Sequence, residues 1–208
     1  HNLRAPVANI LGVTSLLQKG ILDKENEKLF LNGLSTSVYK LDNVIRDLND
    51  ILNIKNHTHE NKVTVKFSGI IEDIKISIAD LIRKENVSIV SNFSAIDELA
   101  TLKSYLYSIF FNLISNSIKY RQANLPPVIE ITSLKDDKNI EVIFKDNGMG
   151  IDMKKSNKDV FGLYKRFHDH KEGKGIGLFM VKTQVETLGG KISIDSKINE
   201  GTTIKIVF

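Results

Sequence analysis

Between Asp146 and Leu178 the chain reads DNGMGID, then a Lys-rich and aromatic insert, then GKGIGL. Glycine has no Cβ, so two glycine-bearing turns let backbone N–H groups close on an anion, and the insert between them has the layout of a lid over phosphate. Asp146 follows the apolar run Ile140 to Phe144, an expected β-strand, and leaves its end with the carboxylate aimed into a cleft. There it could accept a hydrogen bond from an exocyclic amine such as that of adenine. These residues point to a nucleotide site. Taken alone, Gly173 to Gly177 lacks the GxxxxGK spacing of a P-loop and reads equally as a tight turn opening a helix. Leu178, Val181, Val185 and Leu188 then recur at three and four residues up to Gly189-Gly190, which sets the glycines at a helix N-terminus, where unpaired N–H groups favour phosphate.

A second constellation lies upstream. On a long helix expected from about Leu102 to Tyr120, Asn112, Asn116 and Lys119 share a face, with Tyr120 next to them. The rest of that helix is apolar (Tyr105, Leu106, Ile109, Phe110, Leu113, Ile114), and a carboxamide there needs partners. Two amides and an ammonium suit Mg²⁺ on a polyphosphate; the bland alternative is a pair of structural asparagines.

Two regions must position these groups. Near the start, Leu3, Val7, Ile10, Thr14 and Leu17, then Leu31, Leu34, Val38, Leu41, Ile45, Leu48 and Leu52, follow heptad-like seams and predict an antiparallel helical hairpin joined through Gly20 to Asn26, with Asp23 or Asn26 as the cap. Apolar residues off the seam (Leu11, Leu16, Phe30, Val44, Ile51) suggest pairing with a second copy into a four-helix bundle, hence a homodimer. The expected domains are a helical hairpin over 1–56, a polar linker over 57–62 and an α/β nucleotide-binding domain over 63–208. In the latter, strands are expected at Val63 to Phe67, Val87 to Asn92, Val128 to Leu134, Ile140 to Lys145, Lys191 to Ser196 and Thr202 to Phe208, with a helix from about Ser68 to Lys84. The class is α+β, the second part a two-layer sandwich of a mixed sheet with helices on one face.

Composition narrows the function classes. With 208 residues and 41% apolar content the chain can build a core, and its net charge of +4 is dispersed apart from Lys154, Lys155 and Lys158. No basic stripe interleaved with aromatics marks a nucleic-acid binder. The richest apolar run, Tyr105 to Ile114, is shorter than the roughly 18 residues of a membrane span, so no membrane contact is expected of it. Cysteine is absent, which removes disulfides and thiolate metal sites. His57 and His59, two apart in a polar stretch, read as solvated side chains rather than a metal pair. The chain opens on His1 and runs straight into a helical pattern, so upstream sequence is expected.

Four segments together resemble one family. NLISNSIKY (Asn112 to Tyr120), DNGMGID (Asp146 to Asp152), GKGIGL (Gly173 to Leu178) and GTTI (Gly201 to Ile204) are similar to the N, G1, G2 and G3 boxes of sensor histidine kinases, in order. Phe161 to Phe167 resembles the F box, and His1-Asn-Leu-Arg-Ala-Pro6 the H box of the dimerisation and phosphoacceptor helices. The resemblance implies a cytoplasmic setting, ATP and Mg²⁺ as cofactors, a homodimer through the hairpin, and a response regulator receiver domain as partner. It implies that His1 is the phosphoacceptor, Asn116 the main Mg²⁺ ligand with Asn112 beside it, and Lys119 a phosphate contact. Tyr120 would line the nucleotide pocket, Asp146 read the adenine amine and Thr202 lie near the adenine. Arg166 would face the γ-phosphate, and Phe161 and Phe167 anchor the lid. The turns carrying Gly148 and Gly150, and those of Gly173, Lys174, Gly175, Gly177 and Leu178, would wrap the nucleotide.

Neutral imidazole is a competent nucleophile near pH 7. Phosphoryl transfer asks chiefly for in-line placement and for positive charge to absorb what develops on the phosphate. Two departures stand out. The family commonly carries an acid after the phosphoacceptor, where this chain has Asn2, which cannot act as a base. Ala5 stands where relatives use Thr or Asn to orient water, which implies weak phosphatase action on the regulator. A rival reading keeps the nucleotide fold and loses the chemistry, leaving a nucleotide-gated interaction module. An ATPase of the gyrase and heat-shock type is disfavoured by Asn112, where those enzymes place a water-activating Glu.

Overall fold

A computed structural model describes residues 3–19, 24–56, 61–156, 160–167 and 175–208. The chain divides into two compact units, His1–Asn56 and His57–Phe208.

The first unit is a pair of packed helices, α1 (Arg4–Gln18) and α2 (Lys24–Asn56), and the short connection between them makes the pair antiparallel. Gly20 and Asp23 lie outside the described residues, and Asn26 sits inside the first turn of α2 instead of capping it. The covered stripe differs from the expected seam. Pro6 is buried and Ile10, Val13 and Leu17 half-buried on α1; Ser37 is buried and Phe30, Leu34, Leu41 and Val44 half-buried on α2. Leu3, Val7, Val38, Ile45 and Leu48, expected to be inside, are exposed. Each helix carries apolar residues on more than one stripe, so spacing alone does not choose between them.

In the second unit a five-stranded sheet runs in the order β2 (Ser88–Asn92), β4 (Val128–Lys135), β5 (Ile140–Asp146), β7 (Gly201–Val207), β6 (Lys191–Lys197). Only the β2–β4 pair is parallel; the other three are antiparallel. Alternation selects the inner face: Ile129 and Ile131, Val142 and Phe144, Ile204 and Ile206 are buried, while Glu130 and Lys145 pair across the solvent face. Three helices cover the inner face. These are α3 (Phe67–Ser77), α5 (Lys103–Lys119) and α7 (Gly177–Thr187), and α5 packs against both of the others. Its buried side, Tyr105, Leu106, Ile109, Phe110, Leu113, Ile114 and Ile118, leaves the asparagines on the flank nearest α7. At the core centre the Phe110 ring meets Phe144 edge-on at 4.9 Å and Phe67 at 5.9 Å between centroids.

Two features depart from expectation. The single helix expected over Ser68 to Lys84 breaks at Ile78 into α3 and α4 (Ala79–Glu85): Ile78 leaves helical geometry at φ −117° and ψ 23°, while its N–H still donates to the Ile74 carbonyl at 3.1 Å, which also accepts the Ser77 hydroxyl at 2.8 Å. The stretch after Asn92 holds a further strand, β3 (Glu98–Thr101), paired antiparallel with β1 (Val63–Lys66) in a separate two-stranded sheet. The turn before it supplies Asp97, whose carboxylate accepts from the Ser68 backbone N–H at 2.8 Å and its hydroxyl at 2.6 Å, capping α3 from outside. A short helix, α6 (Met153–Ser156), follows the first glycine turn.

Phe110→Ala should destabilise the second unit by about 3–5 kcal/mol in denaturant unfolding, because the ring is fully buried. Ile76→Ala, at a side chain 75% exposed, should stay within about 0.5 kcal/mol of wild type.

Candidate functional site

Asp146 ends β5, and three elements meet at its carboxylate. Oδ1 accepts the Gly148 N–H at 2.8 Å and the Thr202 N–H at 3.2 Å; Oδ2 accepts the Ser117 hydroxyl at 3.0 Å. Thr202 stands opposite Asp146 in the β5–β7 register, and its hydroxyl is 2.9 Å from that of Ser196. Burial pushes the Asp146 carboxyl above its ordinary 3.8, with the bonds from Gly148, Ser117 and Thr202 acting against the rise. A half-covered carboxylate kept at a strand end by three donors retains acceptor capacity on Oδ2 for one more N–H.

Around it the backbone is drawn tight. Gly150 has φ +63°, and a Cβ there would come within 1.9 Å of the Lys197 carbonyl, so this glycine serves the approach of the turn to the β6–β7 hairpin. The Met149 N–H donates to the Tyr120 carbonyl at 2.8 Å, and Asn199 N–H to the Met149 carbonyl at 2.8 Å. Gln122, which the motif reading missed, places Nε2 2.9 Å from the Asn147 carbonyl and 3.1 Å from those of Gly148 and Asn199. Tyr120 caps α5, and Lys119 Nζ lies 4.7 Å from the centroid of its ring.

The second cluster forms where α7 begins. A Cβ on Gly177 would lie 3.3 Å from Asn112 Oδ1 and 3.3 Å from Asn116 Nδ2, so the absence of a side chain lets the helix start sit directly on both carboxamides. The first turn of α7 carries no acidic residue and, among the described residues, no side chain caps it, so the positive end of the helix dipole favours an anion there. Neutral carboxamide oxygens beside such a helix end are donors that Mg²⁺ accepts together with phosphate oxygens, so Asn112 and Asn116 fit the ion. Among the described residues no three His, Cys, Asp or Glu side chains gather into a metal cluster.

Of the lid, α6 and residues 160–167 are described. Val160 is buried, Phe161 and Phe167 are half-buried, and Arg166 is exposed. Lys182 on α7 places Nζ 5.9 Å from the Phe161 centroid, and Gly175 meets the backbone at Lys165. Leu178 packs on the core. Sequence-expected residues thus fall into an Asp146 group (Tyr120, Gly148, Gly150, Thr202) and a Gly177 group (Asn112, Asn116), with Ser117 one residue from Asn116 reaching Asp146. His1, Gly173 and Lys174 lie outside the described residues.

Residues 101–208 match the family described as Histidine kinase-, DNA gyrase B-, and HSP90-like ATPase. The chain belongs to that ATPase family. Membership makes ATP the nucleotide of the second unit. The methanogenesis regulatory histidine kinase FilI of Methanothrix harundinacea is 27% identical over 98% of this chain and 23% of its own length. This ATPase-family chain therefore spans under a quarter of that curated relative. The Acinetobacter baumannii histidine kinase AdeS shares the fold at TM-score 0.68 and 19% identity, over 100% of this chain and 96% of the other. Histidine kinase ThkA, solved in complex with response regulator protein TrrA, shares it at TM-score 0.65 and 19% identity, over 100% of this chain and 58% of the other. No helix among the described residues is long and apolar enough to cross a membrane.

The raised Asp146 value has a sign. The native state holds this proton more tightly than the unfolded chain, so the group lowers stability once pH passes the raised value, and that cost vanishes as pH falls below 3.8. An NMR titration of Asp146 should give a midpoint above 3.8 without nucleotide, and ADP should move it down, because an amine donating to the carboxylate favours the ionised form. A midpoint at or below 3.8 would contradict burial as the dominant cause.

Proposed function

We propose that the chain is the catalytic core of a dimeric sensor histidine kinase, which moves the γ-phosphoryl group of ATP to His1 and then to an aspartate of a response regulator receiver domain. The observation that carries this reading is the approach of Asn112 and Asn116 to the N-terminus of α7, on the same long helix that sends Ser117 to Asp146. One end selects a base by its amine, and the other suits a polyphosphate. FilI and AdeS, both histidine kinases, and ThkA, a histidine kinase solved in complex with the response regulator protein TrrA, point the same way.

In this mechanism Asp146 accepts the adenine amine through Oδ2, with Thr202 beside it and Tyr120 lining the pocket. Asn116 and Asn112 would hold Mg²⁺, and Lys119 and Arg166 would meet phosphate oxygens. Mg²⁺, when bound there, would supply positive charge that offsets the charge on the phosphates. His1 attacks the γ-phosphorus as neutral imidazole; the N–P bond forms as the bond to the β-phosphate oxygen breaks and ADP departs. The imidazole proton is lost to a group other than Asn2, which has no basic site. The resulting phosphohistidine then passes its phosphoryl group to a carboxylate of the partner.

The hairpin serves as the dimer element. Val38 at 49% and Ile45 at 48% exposure lie seven apart on α2 and, with Leu31 and Leu48, leave an apolar stripe that a second hairpin would cover as a four-helix bundle. Such a bundle gives the phosphoacceptor a stalk on which a receiver domain can dock.

Incubation with γ-labelled ATP should place acid-labile label on wild type and none on His1→Gln; label on both, or on neither while ATP binds, would refute transfer to His1. Val38→Glu with Ile45→Glu should convert a dimer to a monomer in sedimentation, since burying two carboxylates in the seam costs several kcal/mol.

A further inference from the structure

Helix α7 presents Val181, Gln184 and Val185 to the core, and Gln184 is only 4% exposed. Its Nε2 donates to Ser108 Oγ on α5 at 2.9 Å, and among the described residues its Oε1 is the one buried side-chain polar atom without a partner. An apolar residue of the same length would fill this place without desolvating an unmatched carbonyl, so packing does not account for the residue type. The geometry on the other side of Ser108 does. Asn112 Nδ2 donates to the Ser108 backbone carbonyl at 2.8 Å and lies 3.4 Å from Ser108 Oγ. A backbone carbonyl only accepts, so the amino end of the Asn112 amide must face Ser108 and its oxygen must face the start of α7, where Gly177 leaves room. Ser108 Oγ is a free rotor unless something holds it, and the Gln184 amide holds it with a lone pair turned to Asn112.

We infer that Gln184 is a positioning residue: acting through Ser108, it fixes the Asn112 carboxamide with its oxygen toward the first turn of α7, and so sets the metal-facing side of the nucleotide site. This rests on the reading of Asn112 as a Mg²⁺ holder given above. Gln184 touches neither nucleotide nor metal; it links the two helices whose junction forms the phosphate end.

Calorimetry with a non-hydrolysable ATP analogue, with and without Mg²⁺, tests this on wild type, Gln184→Met, Ser108→Ala and the double variant. Each single variant should lower the Mg²⁺-dependent gain in affinity by roughly tenfold, as loss of an outer partner of a metal-holding group does. Metal-free ADP affinity should be unchanged, the double variant should be no worse than either single one, and Gln184→Met should melt no lower than wild type. A wild-type gain in Gln184→Met, losses equal with and without Mg²⁺, or losses that add in the double variant would overturn the role. Should Gln184→Met fail to fold, Ser108→Ala decides from the α5 side. A wild-type chain that binds the analogue equally with and without Mg²⁺ would instead overturn the metal reading, and this inference with it.

Discussion

A carboxylate taken partly out of water at the end of a strand must be met by donors, and Asp146 draws them from three places at once. Ser117 comes from α5, Gly148 from the turn that follows β5, and Thr202 from β7. Each donor arrives only if its element is in register: Thr202 stands opposite Asp146 because β5 and β7 pair antiparallel from Glu141 to Asp146, and Ser117 reaches it because α5 lies across the inner face of the sheet. Satisfying one buried charge thus fixes the helix, the hairpin and the glycine turn relative to one another. The turn is then locked from the far side, where Gln122 reaches both its carbonyls and the β6–β7 turn. The base end of the cleft is built by the requirement that this carboxylate not be left unpaired.

The Gly177 end, proposed to take the phosphates, follows a different logic. Its protein groups are mostly neutral: two carboxamides and the backbone N–H groups of a helix start. A polyanion arrives with its own charge and a divalent cation, so fixed carboxylates would compete for the metal and repel the ligand, whereas amides coordinate without adding charge. Amides nevertheless have two unlike ends, and a misplaced one turns an NH₂ group toward a cation. The Ser108 carbonyl resolves the ambiguity for Asn112, since it can only accept. That carbonyl chooses which end of the amide turns to α7, and the Ser108 hydroxyl, held by Gln184, is its second partner.

How much of this is legible in the sequence depends on how local the cause is. The strands announce themselves by alternation, and the buried face of α5 by its recurrence from Tyr105 to Ile118. Asp146, Asn112, Asn116 and the glycines are readable because their chemistry is unusual for their positions. Strand β3 is not, as its four residues acquire meaning only by pairing with β1 more than thirty residues upstream. The break at Ile78 lies in one residue's departure from helical φ and ψ, and the hairpin seam in which of two apolar stripes is covered. Ser117, Ser108 and Gln122 were invisible because each matters through a partner distant in sequence, up to 77 positions for Gln122 and Asn199. Gln184 left a usable trace: a lone polar residue on a stripe with Val181, Val185 and Leu188.

The two ends of the cleft are coupled through α5 rather than through the sheet. Asn112, Asn116 and Ser117 occupy little more than one turn of that helix, so a shift of α5 along its axis would move the Ser117 hydroxyl off Asp146 and the two carboxamides off Gly177 together. The core opposes such a shift, because Phe110 is locked between Phe67 and Phe144 and every residue on the inner stripe is buried. The described lid segment inherits its place from the same helix at one remove: Phe161 lies near Lys182, and Lys165 meets Gly175, both anchored through α7, which is seated on α5. Packing in the apolar interior therefore sets the distance between Asp146 and the pair Asn112 and Asn116, which no single motif encodes.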